Sequence, residues 1–498
     1  MNLVAQKDWC ERAAGARAQI LTVGQRRPNP MRILPIALIA GLLLAGCAAT
    51  DVTPTSSSAT VLDDSPLPVD IANVNVIVNF TERLVDAAVS YSSDLYEPTM
   101  EVCEDGSIYI TGHTILADTT GAPVFGSSDD GESWRQLPFL SSAALPAGLP
   151  GATPPPSDEI FLSCGEDGWL YGVDITLATF PVNGWSGNGA ELAYHNANAY
   201  DEAQVALQAS DCLAAPAKDR PWGAYANGKL LMVSNPAAGP AQVGVLPVPP
   251  GVLGLAPTPV GVGAVSGGGH WNVCAGTGYH SAGCSIPGIP DIRADGQFAV
   301  PQLCDGRLYL IQGNAQNIMN VDVRSVFEHS TGGEITSVYG QAHYDAEGTL
   351  FVGISNNTVP DAQDNRTGQM RFATSTDGGA TFSERVFSLG VGKPVVHFYM
   401  DPNDFGAGAL VVWAVEGETD GGYDYYMGHL FVGADGLPTL TNVALAVNEG
   451  PQPSAHVTGA AVGPDGRSYL AMFRSVEMLG TPLSVYVQTE GPTLPVNA

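Results

Sequence analysis

The chain has 498 residues and carries 50 acidic against 20 basic side chains, a formal net charge of −30 at pH 7. A surface this negative repels nucleic acids and anionic lipid headgroups, which excludes nucleic-acid binding. Charged residues make up only 14% of the chain and apolar residues 45%, so the acidity does not indicate disorder.

An apolar segment near the N-terminus predicts export. Residues 33–45 (ILPIALIAGLLLA) carry no charge, follow Arg32, and are too few to span a membrane. The segment ends in Leu44-Ala45-Gly46-Cys47, which resembles the lipobox of bacterial lipoproteins. In that group the signal peptidase cuts before the cysteine, whose thiol then carries a diacylglycerol. The alternatives are an uncleaved anchor and a buried N-terminal helix.

The resemblance implies a cellular location and a domain organisation. Met31 followed by Arg32 is a better start than Met1, and residues 48–65 are polar with nothing to bury. Ala48 follows the cysteine in place of the aspartate that retains lipoproteins in the inner membrane, so the resemblance implies the outer membrane, with the lipid as the only membrane contact. The predicted parts are an over-called start plus signal peptide (1–46), a lipidated tether (47–70) and a folded body (71–498).

Six cysteines remain once Cys10 and Cys47 are set aside. They are Cys103, Cys164, Cys212, Cys274, Cys284 and Cys304. An even number in an exported protein predicts disulfides, with fifteen possible connectivities. Cys274 and Cys284 flank a glycine-rich loop and are the favoured pair. A metal site is the alternative, although the sequence has no CxxC or HxxxH pattern.

A tight turn followed by a β-rich segment recurs along the body. Asp-Gly and Asn-Gly favour hairpin turns, and the residues after them are β-branched or aromatic. The turn glycines are Gly106, Gly168, Gly228, Gly306, Gly348, Gly408 and Gly466, with intervals of 62, 60, 78, 42, 60 and 58 residues. A period of about 60 with several strands per unit predicts an all-β fold, a β-propeller of about seven four-stranded blades. Six blades and an array of β-sandwiches are the alternatives.

Two segments match the pattern S-x-D-x-G-x-x-[W/F]. The matching residues are Ser127, Asp129, Gly131 and Trp134 in the first, and Ser375, Asp377, Gly379 and Phe382 in the second. The aspartates can accept backbone N–H bonds inside the turn, the glycines permit positive φ, and the aromatic residues cover the blade core. These segments resemble the Asp-box, or BNR repeat, of sialidases and other propellers. In that family the box lies between outer strands, away from the axial active site, so we expect a structural role.

Two further segments extend this resemblance. Glu97-Pro98-Thr99-Met100 and Asp219-Arg220-Pro221-Trp222 are similar to blade openings of sialidase-like BNR proteins, so the likeness covers roughly residues 90–475. Sialidases of this group clamp the substrate carboxylate with three arginines, the first in an R-I-P motif, and use a tyrosine nucleophile and an acid/base aspartate. The sequence lacks the R-I-P motif.

The catalytic residues therefore stay unknown at this level. Arg220, Arg371 and Arg467 lie on different predicted blades and are the arginines that could converge. Tyr423, Tyr425 and Tyr426 are expected to be structural, whereas for His270 and His397 a functional and a structural role are equally open.

The sequence favours a non-catalytic, surface-tethered propeller that binds glycans or a protein partner through loops on one face. An exo-acting, sialidase-like glycosidase or a lyase with a rearranged site is the alternative, and an assembly factor for outer-membrane complexes is a third hypothesis. No cofactor is expected. Ca²⁺ is considered at two oxygen-rich loops, Asp401–Asp404 and Asp361–Asn365, but neither has EF-hand spacing, and solvated turns are favoured.

Overall fold

The computed structural model describes residues 61–85, 95–114, 124–136, 157–165, 169–176, 190–196, 206–209, 218–236, 242–247, 284–304, 307–316, 321–328, 334–335, 340–357, 366–419, 422–450, 459–472 and 483–497. All of them belong to one compact unit, residues 49–498. The apolar segment, Cys47, Cys274, His270 and the Asp361–Asn365 loop lie outside the described residues, so the predictions made for them stay predictions. Within the described ranges, no helix is long and apolar enough to cross a membrane.

The described residues form thirty strands in seven sheets, numbered here in chain order. Sheet 1 contains β3 (Leu95–Val102), β4 (Ile108–Thr114), β5 (Phe125–Ser127) and β6 (Arg135–Gln136); sheet 2 contains β7 (Ser157–Cys164), β8 (Trp169–Thr176), β9 (Ala190–Asn196) and β10 (Ala206–Ala209). Sheet 3 contains β11 (Lys218–Ala226), β12 (Lys229–Pro236) and β13 (Gln242–Pro247); sheet 4 contains β14 (Cys284–Pro287), β15 (Asp291–Ile292), β16 (Gln297–Cys304), β17 (Arg307–Asn314) and β18 (Asp322–Glu328).

Two of the remaining three sheets, 5 and 7, each include a strand from the N-terminal part of the described chain. Sheet 5 contains β19 (Glu334–Ile335), β20 (Gln341–Tyr344), β21 (Leu350–Asn357), β22 (Thr367–Ser375), β23 (Ser383–Val391) and β1 (Val61–Pro68). Sheet 6 contains β24 (His397–Pro402), β25 (Ala409–Glu416), β26 (Tyr423–Val432) and β27 (Pro438–Gly450); sheet 7 contains β28 (Gly459–Val462), β29 (Ser468–Met472), β30 (Ser484–Glu490) and β2 (Asn79–Leu84). One 3-10 turn, Ile71–Asn73, follows β1 and is capped by the Asp70 carboxylate, which accepts the Asn73 N–H.

The sheets are arranged in a ring. The inner strand of each sheet contacts the inner strand of the next, in the order β3, β7, β11, β15, β20, β24 and β28, and β28 contacts β3 again. This arrangement confirms the all-β propeller prediction, and it does not fit an array of β-sandwiches, whose sheets would pack in separate pairs. Four of the seven described sheets are four-stranded, while the others have three, five and six strands, so the predicted uniform blade size is wrong.

The second strand and the last strand of the described chain pair in sheet 7. Strand β2 pairs antiparallel with β30, so an N-terminal strand completes the sheet formed by the C-terminal residues. The strand before it, β1, pairs in parallel with β23 on the outer edge of sheet 5. The tether predicted for residues 47–70 is therefore wrong for residues 61–68, whose backbone joins a sheet edge that would otherwise leave its hydrogen bonds to water.

The turns between the inner and second strands carry the repeat. Gly106, Gly228, Gly348 and Gly466 have positive φ there, between 74° and 81°, as the Asp-Gly and Asn-Gly turns predict. In sheet 4, Gly306 of the predicted series follows β16, the second strand, in the sequence and lies outside the described residues. The equivalent inner turn contains Gly296, at φ 87°. With Gly296 the steps of 78 and 42 residues become 68 and 52.

The apolar core lies between neighbouring sheets. One cluster around Leu410, Val412 and Met427 joins several sheets, and β25 is buried along seven of its eight residues. A strand covered on both faces reads as a continuous apolar run, which explains ALVVWAV at this position. The packing of sheet on sheet fixes the inner strands around the axis, where their free edges line a cavity.

Candidate functional site

The two Asp-box segments form hairpins with the same hydrogen bonds. They join β5 to β6 and β22 to β23, the third and fourth strands of sheets 1 and 5. In the second hairpin the Ser375 hydroxyl donates to Asp377 Oδ1 at 2.7 Å and accepts the Gly379 N–H at 2.7 Å. The Asp377 carboxylate also accepts the N–H and hydroxyl of Thr381, at 2.9 and 2.6 Å. These bonds all lie within the hairpin.

The first hairpin repeats this pattern residue by residue. Ser127 donates to Asp129 at 2.8 Å and accepts the Gly131 N–H at 2.9 Å, while Ser133 donates twice to Asp129. The Ser133 hydroxyl, followed by backbone N–H groups, lowers the pKa of Asp129. Trp134 packs partly buried against the core of sheets 1 and 7.

Each hairpin is also bound to the preceding sheet of the ring by an arginine. Arg467 donates to both carboxylate oxygens of Asp130, at 2.7 and 3.0 Å, and Tyr469 donates to the same carboxylate at 3.1 Å. In sheet 4, Arg324 donates to the carbonyls of Gly379 and Ala380, both at 2.9 Å. The arginines therefore connect neighbouring sheets, and Arg467 is committed to this structural role.

A cavity of about 700 Å³ lies where the inner strands run into their turns. Its lining comes from the C-terminal ends of β3, β7, β11, β15, β20 and β24 and from the loops that follow them. Volumes of this size are typical of small-ligand sites. The polar lining includes Glu101, Ser163, Asp291, His343 and Asp401, and Tyr225, Tyr399 and Phe405 contribute aromatic rings.

Five polar residues of this lining occupy the same register position. In each strand, the residue belongs to the second pair from the turn: Glu101 opposite Tyr109, Ser163 opposite Tyr171, Asp291 opposite Ala299, His343 opposite Phe351 and Asp401 opposite Leu410. We call these five residues the axial belt. The sequence offers a signal for them, since Glu101 and Asp291 each stand four residues before a turn aspartate, but a chain with 50 acidic residues hides it.

Four belt residues accept a backbone N–H from the inner strand of the next sheet. The bonds are Cys164 N–H to Glu101 (3.3 Å), Tyr225 N–H to Ser163 (3.0 Å), Tyr344 N–H to Asp291 (2.7 Å) and Val462 N–H to Asp401 (3.0 Å). Inner strands have one edge without a β partner, and buried N–H groups on such an edge need acceptors. The belt supplies four such acceptors and bonds β3 to β7, β7 to β11, β15 to β20 and β24 to β28.

Burial changes the charge of the belt. It raises the pKa of Asp291 to about 8, with the charge of Asp404 acting in the same direction. Burial likewise raises the pKa of Glu101 and of Asp401 well above the usual range, again with neighbouring acidic groups adding to the effect. At neutral pH these groups hold protons, so the inner wall of the cavity is largely uncharged although it is built from carboxyl groups.

His343 differs from the other belt residues because its Nε2 has no hydrogen-bond partner among the described residues. The side chain is 5% exposed, and burial lowers its pKa to about 3, so the ring is neutral. Sheets 5 and 6 are connected instead by Gln341, two residues before His343 on β20. Its side chain accepts the Met400 N–H at 2.6 Å and donates to the Phe398 carbonyl at 3.2 Å.

Of the candidate arginines, Arg371 and Arg467 lie outside the described lining of the cavity. Within the described lining the arginine is Arg293, whose guanidinium contacts Asp295 at 3.4 Å, whereas Arg467 binds Asp130 and Arg371 lies on β22, the third strand of sheet 5. Arg220 lies on β11, and its side chain is outside the described part of the chain. The described cavity thus lacks the arginine clamp that a sialidase uses for its substrate carboxylate.

The three tyrosines expected to be structural lie outside the described lining of the cavity. Tyr423, Tyr425 and Tyr426 are on β26, the third strand of sheet 6, and Tyr425 is buried in the core. His397 begins β24 and is buried, at the end of the strand opposite the cavity. Asp401 and Asp404 of the proposed Ca²⁺ loop do line the cavity. Among the residues described, no group of three or more His, Cys, Asp or Glu is arranged to hold a metal ion.

A disulfide joins sheets 1 and 2 at the edge of the cavity. Cys103 and Cys164 are bonded, with their Cα atoms 5.4 Å apart. Cys164 lines the cavity and also donates its N–H to Glu101, so the disulfide and the axial belt reinforce the same contact between β3 and β7. The register of β14 and β16 sets Cys284 opposite Cys304, which gives Cys284 a second candidate partner besides Cys274.

Comparisons with known proteins find structural similarity only. No family model matches the chain, and no curated protein matches it. A protein of unknown function from Dyadobacter fermentans is similar with a TM-score of 0.41 and 11% identity, over 82% of this chain and 98% of that one. The phage phi92 endosialidase has a TM-score of 0.41 and 13% identity, over 84% and 71%. Polysaccharide lyase Uly1 is similar with a TM-score of 0.43 and 10% identity, over 85% of this chain and 95% of that one. Likeness at this level identifies neither a family nor an activity.

Proposed function

We propose that this chain is a non-catalytic, lipid-anchored β-propeller that binds a glycan in its axial cavity. The cavity carries this proposal, because about 700 Å³ of space is enclosed by six inner strands and lined by hydroxyl, carboxyl and aromatic groups. Protonated carboxyl groups and tyrosines can donate to and accept from sugar hydroxyls, and aromatic rings can pack against sugar faces. The belt carboxyls already bond the backbone of neighbouring strands, which favours binding over catalysis.

The experiment that tests this function is a binding screen. The purified chain from residue 61 onward is applied to an array of neutral, acidic and basic glycans and to solubilised outer-membrane proteins. Saturable binding of a glycan that is weakened by Tyr399→Ala supports the proposal. Capture of a specific protein with no glycan binding would favour the protein-partner hypothesis instead.

We propose that Cys47 carries the anchor and that the protein resides in the outer membrane. The apolar segment and the LAGC motif support this proposal. A radioactive fatty acid should label the wild-type chain but not the Cys47→Ser variant. The same substitution should release the chain to the soluble fraction. Fractionation of the wild-type protein with the inner membrane would contradict the proposed outer-membrane location.

We propose further that the sheets form a sialidase-like Asp-box propeller. The closed sequence of inner-strand contacts and the two Asp-box hairpins support this assignment. An experimental structure in which the inner strands do not close into a ring would contradict it.

An exo-acting glycosidase with a diverged site is the second candidate. The feature that favours it is the raised pKa of Glu101, Asp291 and Asp401, since a buried carboxylic acid that keeps its proton can serve as a general acid. Release of reducing sugar from a glycoside panel, abolished by Asp401→Asn, would establish this activity and overturn the non-catalytic proposal.

A further inference from the structure

Of the five belt residues, four accept a backbone N–H from the next inner strand and His343 does not, and we call the place between His343 and the next inner strand the gap. By register, the residues that donate to Glu101, Asp291 and Asp401 belong to the pair nearest the turn, and on β24 that position is Pro402, paired with Ala409. Proline has no N–H. His343, on the preceding inner strand, therefore has no donor to meet, which explains why its buried Nε2 is unpartnered.

An unpartnered buried nitrogen in a ligand-sized cavity points to a ligand. Buried polar atoms are nearly always hydrogen-bonded, and an exception that lines a cavity calls for a partner that the protein itself does not supply. His343 lines the cavity next to the turn that carries Asp345, and across the gap it meets the strand that carries Asp401. A neutral imidazole can accept a hydrogen bond at Nε2 when Nδ1 holds the proton.

The charge of the lining indicates the ligand class. Eight carboxyl side chains line the cavity against one arginine: Glu101, Glu104, Asp291, Asp295, Asp345, Glu347, Asp401 and Asp404. The arginine, Arg293, contacts Asp295 and donates to Gln297, so its charge is already paired. Glu104 and Glu347 are exposed members of this set outside the Arg293 pair, and their carboxylates repel carboxylates and sulfates and attract cations. The lining therefore disfavours sialic acid and uronic acids.

We propose that the cavity selects a basic glycan, an amino sugar whose protonated amine lies at the gap between His343 and Asp401. Nε2 of His343 accepts one N–H of the amine, and the carboxylate of Asp401 pairs with its charge. The inference rests on the proposed glycan-binding function. Since buried carboxyl groups here hold protons in the empty cavity, binding of the cation releases a proton.

Titration calorimetry with two matched sugars tests the proposal. The probes are the glucosamine tetramer and the N-acetylglucosamine tetramer at pH 6.5, with spermidine as a cation that is not a sugar. We expect the glucosamine tetramer to bind about tenfold or more tightly than its acetylated counterpart, with proton release that shows in buffers of different ionisation enthalpy. Equal affinity for the two tetramers would overturn the inference and leave the glycan-binding function standing. No binding of either tetramer overturns the inference, and the failure of every glycan in the array overturns the function as well. Spermidine binding as tightly as the glucosamine tetramer would overturn the choice of an amino sugar.

Two substitutions and a control test the gap itself. His343→Gln should weaken glucosamine tetramer binding about fivefold, the loss typical of one hydrogen bond. His429 is also buried with an unpartnered Nε2, but it lies on β26 outside the cavity lining, so His429→Gln should leave the affinity unchanged. Pro402→Ala restores an N–H opposite His343, and we expect it to weaken binding while retaining or raising the melting temperature. Unchanged affinity in both His343→Gln and Pro402→Ala, with folded proteins, would show that the ligand does not use the gap.

Discussion

Replacing Asp291 by asparagine should flatten the pH dependence of stability. In the folded protein, burial raises the pKa of this carboxyl from 3.8 to about 8. Between these pH values the folded chain holds a proton that the unfolded chain has lost, so the free energy of unfolding falls as the pH rises. At about 1.4 kcal/mol per pH unit, the loss from pH 4 to pH 8 is about 5 kcal/mol at most. The stabilising contribution is fully present only below the unfolded pKa.

Urea unfolding of the wild type and Asp291→Asn from pH 4 to pH 9 measures this effect. The asparagine keeps one acceptor for the two N–H groups that Asp291 serves, those of Ile292 and Tyr344, which costs about 1–3 kcal/mol at every pH. The slope against pH is therefore the readout, and it should lose about 1.4 kcal/mol per pH unit. Glu347→Gln removes an exposed carboxyl from the same cavity and serves as the control. A slope in Asp291→Asn equal to that of the wild type would refute the reasoning.

The remaining predictions concern the contacts between sheets and the cavity loop. Asp377→Ala removes the acceptor of three hydrogen bonds in its hairpin and should lower the free energy of unfolding by about 1–2 kcal/mol; an unchanged urea midpoint would contradict this. A double-mutant cycle of Asp130→Ala and Arg467→Ala should give a coupling of about 1 kcal/mol, because the pair is bidentate but part-exposed. Additive effects would show that the contact does not hold the ring. Replacing both Cys103 and Cys164 by serine opens a loop with a sequence separation of 61 and should cost about 2–4 kcal/mol, whereas equal stability under reducing and oxidising conditions would argue against the bond. Chelator against millimolar Ca²⁺ should leave the melting temperature unchanged, and a rise with Ca²⁺ would establish a site in the oxygen-rich loops.

The sequence predicted those features that depend on neighbouring residues. Asp-Gly and Asn-Gly turns followed by β-branched runs encode hairpins locally, and the Asp-box bonds join residues at most four positions apart. The choice of Gly306 and not Gly296 as the repeat marker came from the same locality. Two Asp-Gly turns ten residues apart, at Gly296 and Gly306, look alike in sequence, and only the position of their strands in the sheet separates an inner turn from the next one.

The sequence by itself therefore determined the repeating pattern of strands and turns, the two Asp-boxes and the acidity of the chain. These features follow from local backbone preference and composition. The tertiary structure alone decided which carboxyl groups meet at the axis. Glu101, Asp291 and Asp401 stand more than 100 residues apart from one another in sequence, and their shared cavity results from the ring of inner strands. The importance of Pro402 also became visible only there, since a missing N–H matters only when the neighbouring strand presents a side chain, His343, that has no other partner.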